Sequence, residues 1–375
     1  LFGMTPFGWR FSGTVTGILM LPLMYLLLTR LFRSEKISLC GTILLSAGFM
    51  HYVQTRIATI DSYAVFFILL MYYFMAGWFF DGSKKDLALC GICFGLGASC
   101  KWTCLYAGAG LAVLWILYWV YAFADLKGCV SSAEDDAANA EQNRRYRESI
   151  RRTAVRFFRN AGFCVLFFVL IPGFIYYLSY YPYGQAQHEV LFGREYNRIV
   201  LDNQTFMFHY HSTIEAEHPY SSRWYQWILN IRPILYYLEY LPDNKRVSIA
   251  AFVNPVICWG GLLSLPILAY AAVKQKEKKA VFLLIGYASG LLPWIIISRL
   301  TFEYHYFASA VFHIPILCYV FCLIGRFNPH GRSYIACFTA MAAVLFALFF
   351  PVLAGIPVDN EIGTKIFCWL PSWPI

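Results

Sequence analysis

The chain has 375 residues, 59% of them hydrophobic and 19% aromatic, and carries a formal net charge of +9. Only 14% of its residues are charged, against about one quarter in an ordinary soluble domain, which excludes a single water-soluble globule. No base-stacking platform or groove-reading motif accompanies the positive charge, so its natural partner is an anionic lipid surface rather than nucleic acid.

Ten apolar stretches run along the chain, at 11–29, 37–54, 62–80, 86–100, 104–123, 157–179, 250–273, 280–298, 304–324 and 334–355. A helix needs roughly 20 mainly apolar residues to cross a bilayer, and backbone polar groups in lipid must pair within their own segment. The expectation is an all-α, polytopic membrane protein, with 1–375 forming one transmembrane domain. The stretch 86–100 is the weakest span, short and rich in glycine, and the alternation of barrel strands is absent. The chain begins at Leu1 with no charged n-region or cleavage site and reads as a piece of a longer protein.

The connections sort by charge. Those at 30–36, 81–86, 124–159, 274–279 and 325–333 hold nineteen lysines and arginines against ten carboxylates, and the rest of the chain holds eleven of each. By the positive-inside rule the first set is cytoplasmic. Within it, 124–156 is expected to be a solvated linker, with an acidic patch (Glu134, Asp135, Asp136), leading into a basic amphipathic helix. On the other side, 180–249 is crowded with Tyr, His and Trp and is expected to form a small helical cap on the membrane surface. Its sequon at Asn203 is too short a match to decide anything. Most of the twelve cysteines fall inside spans, where a thiol behaves as a small apolar group. Cys90 and Cys93 have a metal-like spacing, but no metal or cofactor is assigned to them.

The informative charges lie on the less basic side. Arg10 opens the first span, Arg56 and Asp61 bracket the turn between the second and third, and Lys101-Trp102 separates the fourth from the fifth. Arg299 and the run Glu303-Tyr304-His305-Tyr306 separate the eighth from the ninth. Each residue taken singly reads equally well as an interfacial anchor. Together, cations recurring at one boundary point to a shared polar cavity that binds an anion. At that depth the fitting anion is the phosphate of a lipid-linked donor. The 180–249 connection adds His218-Pro219-Tyr220-Ser221-Ser222 before Trp224, Trp227 and Arg232.

At 6–11, 56–62, 95–108, 218–227, 230–233 and 304–307 the chain resembles the protein O-mannosyltransferases, polyprenyl-phosphate-mannose-dependent enzymes of the GT-C superfamily. The resemblance implies a GT-C fold of eleven spans, of which this chain holds the last ten. It implies inverting transfer of mannose from a polyprenyl-phosphate donor to Ser or Thr of exported proteins, on the extracytoplasmic face and without a bound metal. The family's catalytic carboxylate lies in a first outer loop, upstream of Leu1. The 180–249 connection cannot contain the large sugar-binding-like domain of eukaryotic members, which implies a bacterial-type protein of the plasma membrane.

On this reading Arg10, Lys101 and Arg299 hold the donor phosphate, with Arg56, Trp102, Tyr304, His305 and Tyr306 in support. With the main base expected upstream of Leu1, Asp61 is the best-placed carboxylate within the chain to act as the catalytic base. Its spacing to Arg56 also fits an ion pair that orients the arginine. His218, Tyr220, Trp224, Trp227 and Arg232 shape an acceptor groove. Three alternatives stay open at this point: a GT-C enzyme moving another sugar to a lipid or glycan, a transporter or flippase, and a non-catalytic partner subunit. Whether the protein works as a dimer is left open too.

Overall fold

The computed structural model describes residues 2–128, 136–213, 216–373 and 375. Its elements in chain order are α1 (Pro6–Phe32), α2 (Glu35–Ser46), α3 (Phe49–Arg56), α4 (Asp61–Asp81), α5 (Lys84–Cys100), α6 (Thr103–Gly128) and α7 (Asp136–Val165). Then come α8 (Ile171–Ser179), α9 (Tyr181–Ala186), α10 (Arg194–Thr213), α11 (Trp224–Ile228), β1 (Ile234–Leu241), β2 (Lys245–Ala251), α12 (Pro255–Val273) and α13 (Lys278–Leu291). The chain closes with α14 (Phe307–Ala310), α15 (His313–Phe327), α16 (Gly331–Ala354), β3 (Val358–Asp359) and α17 (Asn360–Phe367).

Among the described residues, seven helices are long and apolar enough to cross a membrane, and two more spans are bent pairs, α2–α3 at 58° and Glu303–Ala310 with α15 at 42°. With the 17-residue α5, every expected span has a helical counterpart, as befits an integral membrane protein. The short fourth span is explained by its glycines. A Cβ on Gly91 would stand 2.1 Å from the Phe167 carbonyl oxygen, and one on Gly95 would stand 2.8 Å from Pro172 Cα. Backbones therefore touch where α5 meets the α7–α8 run, as small residues permit in membrane helix pairs. That run passes through a π turn at Leu166–Leu170 just before Pro172. A proline ring displaces the carbonyl of the preceding turn, and the wider turn accommodates it.

Both bends have local causes. At Ala47–Gly48 the helix breaks, and Asn254 Nδ2 donates to the Ala47 carbonyl at 2.9 Å and to that of Ala342 at 3.0 Å. The carbonyl freed by the break is thus satisfied inside the protein, as lipid demands. At the other bend Pro315 enters the first turn of α15, where its missing N–H costs least.

One expectation needs correction. The 180–249 connection is not an all-helical cap: after α9, α10 and α11 it forms a β1–β2 hairpin, extended by β3 from beyond the last span. The run Ile234-Leu235-Tyr236-Tyr237-Leu238 is of strand-forming type, and Asp243 and Asn244 take positive φ at the turn, as such turns require. The seventh span consequently starts at Pro255 rather than 250. Glu134 and Asp135 of the acidic patch lie outside the described residues; on either side, α6 is helical up to 128 and α7 from 136.

Successive spans alternate in direction, so the basic connections share one end. The other end gathers the start of α1, the α3–α4 and α5–α6 turns, α8 to α11, the sheet and residues 296–306. The candidate site is built there.

Candidate active site

Lys101 ends α5 with an extended backbone, and its N–H closes on the Gly97 carbonyl at 3.0 Å. That break turns the side chain back over the start of α4, where Nζ lies 2.6 Å from Asp61 Oδ1. The two side chains keep only 18% and 12% exposure. Asp61 therefore pairs with Lys101 and not, as its spacing allowed, with Arg56. The Arg56 guanidinium instead donates to the Tyr52 hydroxyl at 2.7 Å and to the Ala354 carbonyl at 3.4 Å. A residue at the end of α3 reaches one turn back more readily than across the bend to α4.

Beyond this pair opens a cavity of about 930 Å³. Lys101 and Trp102 line it from the α5–α6 turn, Tyr176 and Tyr180 from α8 and its end, and His211 from α10. Trp294, Arg299, Tyr304 and His305 line it from the segment between α13 and α14. The wall is tied by Trp102 Nε1 donating to Tyr176 OH at 3.0 Å, Tyr176 OH to Gln204 Oε1 at 2.8 Å, and Gln204 Nε2 to Tyr180 OH at 2.8 Å. Asn203 of the sequon sits in the same helical wall.

The cavity is electropositive. Lys101 Nζ lies 5.4 Å from the Tyr304 ring centre, and the Arg299 guanidinium 5.8 Å from that of Trp294. Burial, reinforced by the Arg299 and Lys101 cations, holds the His211 imidazole below its ordinary pKa. Trp294 is 3% exposed, and its buried indole N–H has no acceptor among the described residues. Two cations around one void are the makings of an anion site.

A second cavity of about 690 Å³ adjoins it, lined by Glu217, His218, Ser221, Arg223, Gln226, Arg299 and Thr301 among others. Arg299 lines both cavities. Thr301 Oγ1 donates to the Ser222 carbonyl at 2.6 Å, and Ser222 N to the Thr301 carbonyl at 2.9 Å, which pins the loop to the segment carrying Arg299.

The remaining sequence candidates are dispersed. Arg10 does not join Lys101: it is exposed and lines neither cavity. It stands one turn before Gly13, whose close contact is the Thr55 carbonyl, and the first turns of α1 are covered by Phe2, packed on Phe7 and Phe11. Tyr306 is fully buried in the helix core, its hydroxyl bonded to Tyr287 OH at 2.8 Å and His313 Nε2 at 2.7 Å. Trp227 is buried beneath the loop, stacked on His305, with its N–H on Ser222 Oγ at 2.9 Å. Trp224 and Tyr220 are half-buried, and Arg232 donates to the Pro219 carbonyl. Of the acceptor-loop candidates, His218 alone lines the second cavity. His211, Trp294 and Glu217 belong to the two cavities and carry no sequence signal of their own.

Two family models cover nearly all of the chain: "Dolichyl-phosphate-mannose-protein mannosyltransferase" matches residues 1–184, and "C-terminal four TMM region of protein-O-mannosyltransferase" matches residues 197–373. The chain belongs to the protein O-mannosyltransferase family. The polyprenol-phosphate-mannose–protein mannosyltransferase of Mycobacterium tuberculosis is 24% identical over all of this chain and 78% of its own length. The Corynebacterium glutamicum protein of that name is 22% identical, with the same coverage. A solved complex of S. cerevisiae protein O-mannosyltransferases bound to the sugar donor superposes with a TM-score of 0.78 at 13% identity, covering 98% of this chain and 81% of that one. The fold is the GT-C mannosyltransferase fold.

Proposed function

We propose that this protein transfers mannose from a polyprenyl-phosphate-mannose donor to Ser or Thr hydroxyls of exported proteins. The reaction would take place on the side of a bacterial plasma membrane opposite the basic connections. The observation that carries this reading is the pair of adjoining cavities that share Arg299. The larger takes the donor: Lys101 and Arg299 flank the phosphate, and the tyrosine wall faces the sugar and first isoprene units. As the glycosidic C–O bond breaks, negative charge grows on the departing phosphate, and fixed cations stabilise that state more than the ground state. The smaller cavity takes the acceptor segment beside His218 and Glu217. Asp61 is assigned the positioning of Lys101, whose ammonium it holds at 2.6 Å.

Membranes containing the full protein, given labelled polyprenyl-phosphate mannose and a Ser/Thr-rich peptide, should label the peptide hydroxyl with inverted anomeric configuration. Arg299→Gln should lower that transfer by about 10- to 100-fold, the loss of one charge-assisted contact. Label appearing on a lipid or glycan, or none on the peptide, would defeat the reading.

A further inference from the structure

At the opposite, basic end of the helices lies a third cavity, of about 250 Å³, between the end of α4, the start of α5, α6 and α7. Lys84, Arg156 and Arg159 converge on it, and Trp78, Trp119 and Asn160 form part of its wall. None of the three cations makes an ion pair among the described residues. The nearest carboxylates in sequence do not neutralise them: Asp86 is engaged by Arg30 at 3.4 Å, and Asp81 makes no ion pair.

The wall is tied together where Trp115 Nε1 donates to Asn160 Oδ1 at 2.6 Å. Three cations around a single void fit an anion with several acceptor oxygens.

We propose that this cavity binds the phosphate of an anionic glycerophospholipid from the cytoplasmic leaflet. The lipid source, rather than free phosphate, follows from what lies alongside. Phe158 is 72% exposed and Val155 59% exposed, next to Arg159 and Arg156 on α7, and Val165 and Leu166 continue an exposed apolar surface along the helix. A headgroup held by the arginines therefore leaves its acyl chains against α7. Basic pockets between helices on the cytoplasmic side take anionic headgroups in this way. The site is separate from the donor cavity and does not depend on the proposed reaction.

The test is native mass spectrometry of the full protein with phosphatidylglycerol or phosphatidylcholine, alongside titration with inorganic phosphate. Phosphatidylglycerol should be retained in preference to phosphatidylcholine. Each basic residue at an anionic surface is worth about a five-fold change, so Arg156→Gln with Arg159→Gln should weaken retention by about 25-fold. Equal retention of the two lipids, or unchanged retention in the double variant, would overturn the proposal. So would saturable phosphate binding that displaces the lipid, which would make this a free-ion site. Retained thermal stability of the double variant confirms that a loss is not misfolding.

Discussion

Replacing Lys101 separates a phosphate ligand from a mere helix-end anchor, because its partner Asp61 can be neutralised independently. In Lys101→Met a carboxylate with 12% exposure loses its ammonium at 2.6 Å. Stripping one member from a buried pair costs roughly 3–5 kcal/mol, and the residual exposure of both side chains puts this case at about 3 kcal/mol. The same change removes one charge-assisted contact to the donor, worth about 1.5–3 kcal/mol, or roughly a 10- to 150-fold loss in transfer. Adding Asp61→Asn removes the orphaned charge. The double variant should then melt near the parent temperature while its transfer rate, measured with labelled donor at saturating peptide, stays low. A double variant that recovers both stability and transfer would show that Lys101 acts only by holding Asp61, and the phosphate assignment would fall.

The His211 imidazole, held down by burial and by Arg299 and Lys101, gives the donor site a pH dependence. A phosphodiester does not titrate near neutrality, but as an anion beside the imidazole it favours the protonated ring. Donor affinity should therefore tighten as pH falls below about 6.5, and His211→Gln should abolish that tightening in a binding titration from pH 8 to 5. The same lowered pKa makes His211 destabilising in acid: the unfolded chain takes up its proton first, so its share of stability is intact above the ordinary imidazole range and is lost as pH falls toward the folded value. On the scaffold, Gly91→Val would drive a side chain into the Phe167 backbone and should lower melting temperature by several degrees. Gly162→Ala meets nothing within 4 Å and should leave it unchanged or raised. Equal melting of the two variants would contradict close packing of α5 on the α7–α8 run.

The spans were legible because lipid leaves the backbone few choices, and the boundary charges because placing them there is costly. Lys101 and Arg299 do share a cavity; the same reasoning included Arg10, since sequence reports depth along a helix and not which neighbours cover it. The Asp61–Arg56 pairing failed for a related reason. Five residues of separation permitted the contact, but the bend between α3 and α4 turns the two side chains toward different partners. The β1–β2 hairpin was absorbed into a helical cap because its apolar residues run into the next span without a strong polar break. His211 and Trp294 were invisible. They come from α10 and the segment after α13, and only the folded chain brings them to one void.

Arg299 borders both cavities at once, so on the proposed assignment donor and acceptor would share a guanidinium and their affinities would be thermodynamically linked. A lipid phosphate that draws the side chain one way alters what the polypeptide meets on the other. By reciprocity, the factor by which bound donor changes peptide affinity equals the factor by which bound peptide changes donor affinity.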